Sequence, residues 1–220
     1  MPIAERVKEV HADIAQACAS AGRTVDTVNL IAVTKSQGPE VLEGLAAAGI
    51  RAVGENRLEH HALMHAVAPV GLAFHAIGRL QGRQLAKLVP LSVCVHGLCD
   101  ADHVQRLERA CADQQRRMHV FLQVNTSGES SKAGLGPEAL PPVLDLARSQ
   151  PHLEVLGLMT MAPERDEGAD EMTIRRCFSA CRELARRHGL KRLSMGMSQD
   201  FAWAIAEGAT DVRIGTRLFG

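Results

Sequence analysis

Short apolar segments alternate with amphipathic segments along the whole chain. Eight segments are rich in Val, Ile, Leu and Ala, as is typical of buried strands, and they lie at residues 28–34, 52–55, 72–77, 93–97, 120–125, 155–161, 193–197 and 212–214. Helical patterns fill the gaps between them. The first helical pattern covers residues 3–21 and places Ile3, Val7, Val10, Ile14 and Ala17 on one face.

Strands that alternate with helices indicate a parallel sheet covered by helices. Eight such units, without a Gly/Ser-rich linker or an internal repeat, favour a single (β/α)8 TIM barrel domain over residues 1–220. The alternative is an open doubly wound sheet, which usually opens with a Gly-rich turn. The first strand here runs into VTKSQG, which lacks the GxGxxG fingerprint of that fold, so the barrel is preferred.

The composition of the chain argues against nucleic-acid-binding, membrane-spanning and exported proteins. The chain has 25 basic and 25 acidic residues, so no overall field attracts nucleic acid or anionic lipid. No apolar run approaches the length of about 18 residues that a membrane span needs, and the charged start MPIAERVKEV lacks the apolar core of a signal peptide. Six cysteines without CxxC or zinc spacing suit a reducing compartment. We therefore expect a cytoplasmic protein, and the 3% aromatic content predicts a monomer.

Polar and small residues gather where the predicted strands end. LIAVTK places Lys35 at the exit of the first strand, MGMS ends the seventh at Ser198, and RIGT ends the eighth with Gly215 and Thr216. In a (β/α)8 barrel these ends form one mouth, where active sites lie. Ser198 is predicted to be the N-cap of the next helix, where free N–H groups bind anions. Since the eighth strand pairs with the first, this anion site lies beside Lys35, which suits a phosphate ligand that carries an aldehyde.

These motifs resemble those of the pyridoxal-phosphate homeostasis protein family, which is related to the N-terminal barrel of alanine racemase. The resemblance covers nearly the whole chain and runs through LIAVTK, GEN, IGRLQ, VNTSGESSKAGL, GLMTM, LSMGMSQDFAWAI and VRIGTRLFG. It implies that pyridoxal 5′-phosphate (PLP) is the cofactor and that Lys35 binds it as an aldimine. It implies further cofactor contacts from Asn56 and His75 beside the ring, Arg213 at the pyridine nitrogen, and Met197, Ser198, Gly215 and Thr216 around the phosphate.

The chain departs from the family pattern at the rim of the predicted site. Arg57 and Leu58 follow GEN where an aromatic residue is usual, and LQGRQ replaces the common LQxNK. Gln37 stands where a second lysine often follows the cofactor lysine. These differences concern rim residues and leave the predicted cofactor contacts intact. Lys132 matches the family motif, but no physical role for it follows from the sequence.

The resemblance leaves two functions of different classes. A PLP-dependent amino-acid racemase needs an acid–base group on each face of the substrate carbon, and alanine racemase uses a lysine and a tyrosine from its second domain. This sequence contains no tyrosine. An arginine at the pyridine nitrogen keeps that nitrogen unprotonated and weakens the electron sink. We therefore predict a protein that stores PLP and delivers it to PLP-dependent apo-enzymes without efficient catalysis. A Schiff-base aldolase would use the same anchors but lacks an evident acid–base partner.

Three other patterns could indicate binding sites, but a structural interpretation of each is preferred. His60, His61 and His65 suggest a metal site, but a solvated helix face explains them without a third ligand. The acidic run at residues 164–171 is predicted to be a solvated loop and not a cation site. The basic stretch RRCFSACRELARRHGLKR is predicted to be an exposed amphipathic helix and not a nucleic-acid surface, because Phe178 is its only aromatic residue.

Overall fold

The computed structural model of the chain describes residues 1–78, 81–128, 133–163 and 168–220. Eight parallel strands pair in chain order and β8 pairs with β1, which confirms the predicted (β/α)8 barrel. The strands are β1 (Asn29–Val33), β2 (Ala52–Glu55), β3 (Ala73–Ala76), β4 (Cys94–Leu98), β5 (Met118–Gln123), β6 (Leu153–Met159), β7 (Arg192–Ser194) and β8 (Asp211–Ile214). The helices are α1 (Ile3–Ser20), α2 (Val41–Ala47), α3 (Leu58–Ala66), α4 (Leu85–Leu88), α5 (Ala101–Asp113), α6 (Leu140–Arg148), α7 (Glu171–Arg187), α8 (Phe201–Ala206) and α9 (Thr216–Phe219).

Each strand presents alternate side chains to two different environments. On β8, Val212 and Ile214 belong to the large apolar core between strands and helices, whereas Asp211 and Arg213 face the barrel interior. The interior contains a second, small apolar cluster formed by Cys94, Phe121 and Met159. Polar side chains therefore share the barrel interior with a few apolar ones, and every buried polar group there needs a partner.

The ends of the strands shape the mouth of the barrel. β5, β6 and β7 end two or three residues earlier than the sequence predicts, at Gln123, Met159 and Ser194. Irregular register between β4 and β5 and between β5 and β6 accompanies the first two differences. The shorter strands release residues such as 195–200 into loops at the C-terminal mouth, where they can contact a ligand.

Helix α1 closes the side of the barrel next to β8. Its apolar face buries Val7, Val10, Ile14 and Cys18, and the helix packs against α2, α8 and α9. Arg217 of α9 forms an ion pair with Asp13 of α1. Among the described residues, no helix is both long and apolar enough to cross a membrane.

Candidate functional site

A cavity of about 300 Å³ opens at the C-terminal ends of the strands. This volume is at the lower end of the range of roughly 300–1,000 Å³ for small-molecule sites. Seven of the eight residues that the sequence singles out line the cavity: Lys35, Asn56, Met197, Ser198, Arg213, Gly215 and Thr216. Strand β8, which carries Arg213, and the loops after β1, β2, β7 and β8 bring these residues together, as the closed strand order predicts.

Lys35 lies in a tight turn directly after β1. The Gln37 N–H donates to Thr34 O at 3.0 Å and closes the turn. Ser36 has a φ of +67°, which is the left-handed region that an L-residue adopts at a cost. The turn directs an exposed lysine to the edge of the cavity, beside the end of β8. A primary amine at this place can react with an aldehyde in the cavity.

Ser198, Gly215 and Thr216 form a cradle for an anion, which we call the phosphate cradle. Ser198 Oγ accepts hydrogen bonds from the N–H groups of Gly215 and Arg217 at 3.2 and 3.4 Å. The N–H groups of Ser198 and Thr216 themselves donate to no other residue within the described ranges. Two free donors beside a hydroxyl group favour binding of a phosphate or carboxylate.

The prediction that Ser198 is a helix N-cap is wrong. Helix α8 begins at Phe201, and Asp200 occupies its N-cap position. Asp200 Oδ1 accepts a hydrogen bond from Met197 N at 2.5 Å and folds residues 197–200 into a turn before the helix. The Ser198 hydroxyl consequently points to the start of α9 and not into α8.

Arg213 is buried in the barrel interior below the cavity, with 6% of its surface exposed. Its Nη1 donates to Ser194 Oγ at 2.6 Å and its Nη2 donates to Thr160 O at 3.2 Å. Burial lowers the pKa of Arg213 to about 10, although Asp200 and Asp211 act in the opposite direction. Arg213 therefore stays protonated at neutral pH and presents a fixed positive charge to the cavity.

His75 lies outside the cavity lining, contrary to its predicted place beside a cofactor ring. Its Nδ1 is 2.9 Å from His96 Nε2, and His96 Nδ1 is 2.8 Å from Ser194 Oγ. Because the Ser194 oxygen accepts from Arg213, we assign the Ser194 hydroxyl as donor to His96 Nδ1. The neutral His96 ring then carries its hydrogen on Nε2 and donates it to His75 Nδ1. His75, His96 and Ser194 thus form a hydrogen-bonded chain that supports Arg213 from below.

The same histidines do not favour a metal ion. His75, Cys94 and His96 each bring one potential ligand atom within 4.8 Å of the others. Both ring nitrogens of His96 already have hydrogen-bond partners. Burial, His75 and the nearby guanidinium groups of Arg213 and Arg192 lower the pKa of His96 well below its usual range. The positive guanidinium groups of Arg213 and Arg192 beside these side chains repel a metal cation.

The cofactor contacts that the resemblance implies leave out several residues of the cavity wall. Apolar contacts come from Val33, Ile77, Met159, Met161 and Pro163, and polar or backbone contacts come from Gly78, Gln199 and Asp200. The HAIG and LMTM motifs already mark Gly78, Met159 and Met161 as residues at the ends of the third and sixth predicted strands. Asp200 could not be found from its sequence position, since its role depends on the turn that it forms.

The predicted solvated face of helix α3 is also wrong in part. His61 is completely buried, its ring stacks on Phe74, and its Nε2 is 3.1 Å from Leu91 O. His60 contacts a buried carboxylate, Glu55. Lys132 and residues 164–167 of the acidic run lie outside the described residues.

The family model described as "Alanine racemase, N-terminal domain" matches residues 11–220. A pyridoxal phosphate homeostasis protein of Pseudomonas aeruginosa is 38% identical over 99% of this chain and 95% of its own length. A protein of the same name from Aquifex aeolicus is 35% identical over 100% of this chain and 98% of its own length.

Solved structures agree with these relatives. The structure of PipY from Synechococcus elongatus PCC7942 with PLP bound has a TM-score of 0.87 and 30% identity, and it covers 99% of this chain and 100% of PipY. An alanine racemase of Clostridium difficile shares the fold, with a TM-score of 0.77, 12% identity, and coverage of 98% of this chain and 56% of its own. The chain belongs to the pyridoxal phosphate homeostasis protein family, within the larger family of alanine racemase N-terminal domains.

Proposed function

We propose that this chain binds PLP covalently through Lys35 and acts as a store and donor of the cofactor, without efficient catalysis. The observation that carries the proposal is the convergence of an amine, a buried guanidinium and free backbone N–H groups on one cavity. PLP has three matching parts, which are an aldehyde, a pyridine nitrogen and a phosphate. The names of the relatives, and the PLP-bound structure of PipY, support the same cofactor.

The residues of the cavity fit each part of PLP. The Lys35 amine can condense with the aldehyde, which releases water and leaves a Schiff base. The phosphate cradle offers the Ser198 hydroxyl and the N–H groups of Ser198 and Thr216 to the phosphate. Arg213 is a permanent donor for the pyridine nitrogen, and its partners Ser194 and Thr160 O fix its guanidinium plane.

The charged residues of the cavity argue for a carrier. Those that line it within the described ranges are Lys35, Asp200 and Arg213. Asp200 already accepts a hydrogen bond from the Met197 backbone, and Arg213 is protonated at neutral pH. Racemisation needs a second acid–base group that can exchange protons with the substrate carbon. A protonated arginine also leaves the pyridine nitrogen without a proton of its own, which weakens PLP as an electron sink.

The experiment compares the transfer of PLP to an apo-enzyme with the racemisation of amino acids by the protein itself. The PLP-loaded protein is incubated with an apo-enzyme that needs PLP, and separately with single enantiomers of alanine and serine analysed by chiral chromatography. We expect activation of the apo-enzyme and no appreciable second enantiomer. Lys35→Ala should abolish PLP retention, whereas Lys191→Ala, which changes an exposed lysine at the opposite end of the barrel next to β7, should not.

Turnover in the ordinary enzyme range of about 1–10³ s⁻¹ that is lost in Lys35→Ala would overturn the carrier function in favour of a racemase. Asp200 would then be the first residue to test as the second acid–base group, because it is the carboxylate of the described cavity lining. Equal PLP retention in Lys35→Ala and wild type would overturn Lys35 as the attachment residue.

A further inference from the structure

The turn that carries Lys35 is bound at both ends by a pair of side chains from the next strand and helix. Glu55, at the end of β2, is 1% exposed, and its Oε1 accepts a hydrogen bond from the Thr34 hydroxyl. His60, on α3, has its Nδ1 2.7 Å from Glu55 Oε2 and its Nε2 2.8 Å from Gln37 O. Thr34 and Gln37 are the first and last residues of the turn, so the pair spans it.

The Glu55–His60 pair must share a proton. The Gln37 carbonyl can only accept, so His60 Nε2 carries a hydrogen and donates it. A contact of 2.7 Å between Nδ1 and a carboxylate oxygen needs a second hydrogen, because two lone pairs would otherwise face each other. The pair is therefore an imidazolium with a carboxylate, or a neutral imidazole with a carboxylic acid. In both descriptions, removal of this proton breaks the link between the two ends of the turn.

The turn needs this support, because its backbone is strained. Ser36 adopts a φ of +67° at the third position of the turn, where type II turns usually have glycine. Within the turn, the bond from Gln37 N to Thr34 O opposes relaxation of this residue. Loss of an outside contact would let the Ser36 backbone relax and move the Lys35 amine away from the cavity.

We propose that Glu55 and His60 are positioning residues, which place the Lys35 amine for reaction with the cofactor by holding the strained turn around it. The inference rests on the proposed function, because it assumes that Lys35 is the attachment residue. Neither side chain lines the cavity. Their effect on the cofactor is therefore transmitted through the turn.

The charges around His60 set the direction of the pH effect. Glu55 on β2 faces its Nδ1, Arg57 precedes it, and the adjacent His61 is neutral because burial lowers its pKa to about 4. Partial burial of His60 by itself lowers its pKa, but the hydrogen bonds to Glu55 and Gln37 outweigh this and raise it. The turn is consequently held below the raised pKa of His60 and loosens as the pH rises through it.

Glu55→Gln and His60→Asn separate positioning from simple stability. In Glu55→Gln, the introduced amide can still accept from Thr34 and can donate to a neutral His60, so the geometry survives without the ionisable proton. The side chain introduced by His60→Asn is too short to reach both partners. Matched controls are Glu59→Gln on the exposed side of α3 and His11→Asn on the exposed side of α1.

The first measurement uses the protein without cofactor. Amide hydrogen exchange at Gln37 reports the turn directly, and ¹⁵N NMR of the His60 ring reports its protonation. We expect His60→Asn to accelerate Gln37 exchange about tenfold or more and both controls to leave it unchanged. Exchange at Gln37 that is equal in His60→Asn and His11→Asn would overturn the inference. It would leave the proposed function intact, because that function is tested by Lys35→Ala.

The second measurement is the affinity for PLP as a function of pH. The ratio of wild-type to Glu55→Gln affinity cancels the pH dependence of the lysine amine itself. We expect this ratio to fall as the pH rises through the pKa that NMR gives for His60, and His60→Asn to bind PLP about tenfold more weakly at neutral pH. A ratio that does not change with pH would contradict the proton-sharing pair. If Glu55 and His60 had only a structural role, their substitution would lower stability without this dependence of PLP affinity on pH. Glu55→Gln would then also fail to preserve the geometry of the turn.

Discussion

Replacing Ser194 by alanine would disconnect Arg213 from the histidines of the barrel interior. The Ser194 hydroxyl is completely buried, accepts from Arg213 Nη1 at 2.6 Å and contacts His96 Nδ1 at 2.8 Å. Alanine removes both bonds and adds no group that could replace them. Arg213 would retain its bond to Thr160 O, whereas His96 Nδ1 would lose its partner.

The cost follows from these two bonds. A hydrogen bond to a charged group contributes about 1.5–3 kcal/mol, and a buried polar atom without a partner costs about 1–3 kcal/mol. These contributions overlap, since Ser194 Oγ is common to both bonds, so we expect a loss of about 2–4 kcal/mol in the free energy of unfolding. For a chain of this size, about 2–4 °C per kcal/mol gives a Tm lowered by roughly 5–15 °C.

Urea unfolding with an unchanged m value measures this loss. Ser92→Ala is the matched control, because Ser92 is also buried but its hydroxyl lies 3.5 Å from His61 Nε2, at the limit of a hydrogen bond. We expect the control to lose less than about 1 kcal/mol. Ser194→Ala should also weaken PLP binding, since Arg213 is no longer fixed. Equal stability of the two variants would refute the view that Ser194 links Arg213 to the histidine chain.

Three further predictions concern pH, packing and the phosphate. Burial lowers the pKa of both His61 and His75 from 6.5 to about 4. As the pH falls from 6.5 to 4, the unfolded chain therefore binds protons at these residues before the folded chain does, and the free energy of unfolding decreases. The expected decrease is roughly 3 kcal/mol for each histidine, at about 1.36 kcal/mol per pH unit. Urea unfolding that shows no decrease in the free energy of unfolding from pH 6.5 to pH 4 would contradict this prediction. Gly97→Ala should cost about 1–3 kcal/mol by calorimetry, because its Cβ would overlap the Gly78 carbonyl oxygen at the cavity wall. Pyridoxal without its phosphate should bind at least about tenfold more weakly than PLP in a spectroscopic titration, and equal affinities would place the anion site elsewhere.

Much of the site could be predicted from strand ends alone. The closed barrel fixes which strand ends are neighbours, so a lysine after β1 and the RIGT motif at β8 had to meet. The meeting of Lys35 with Thr216 therefore follows from strand order and polarity, whereas the role predicted for Arg213 came from the family resemblance. Parallel strands of a barrel all end at the same mouth, whatever their side chains contact there.

The depth of a residue in the barrel could not be predicted in the same way. His75 precedes the end of β3 by one residue, and the stagger of the strands places it beside Cys94 below the cavity. The position of Ser198 depended on the Asp200–Met197 hydrogen bond, which delays α8 until Phe201.

The histidines of α3 show a second limit of sequence reasoning. His60 and His61 are polar residues in a helix with a weak apolar pattern, so the sequence predicts a solvated face. A contact with Phe74 accompanies the complete burial of His61, and a contact with Glu55 leaves His60 half-buried. Burial of a polar side chain depends on partners from distant segments, and a helical pattern does not contain them.

The central claim is that Lys35 is the residue that binds the cofactor, and reductive trapping tests it most directly. The protein is loaded with PLP, reduced with borohydride, digested and analysed by mass spectrometry. We predict a pyridoxyl phosphate group on the peptide that contains Lys35, and no stable label in Lys35→Ala. A label found only on another lysine, such as Lys132 or Lys191, would contradict the account.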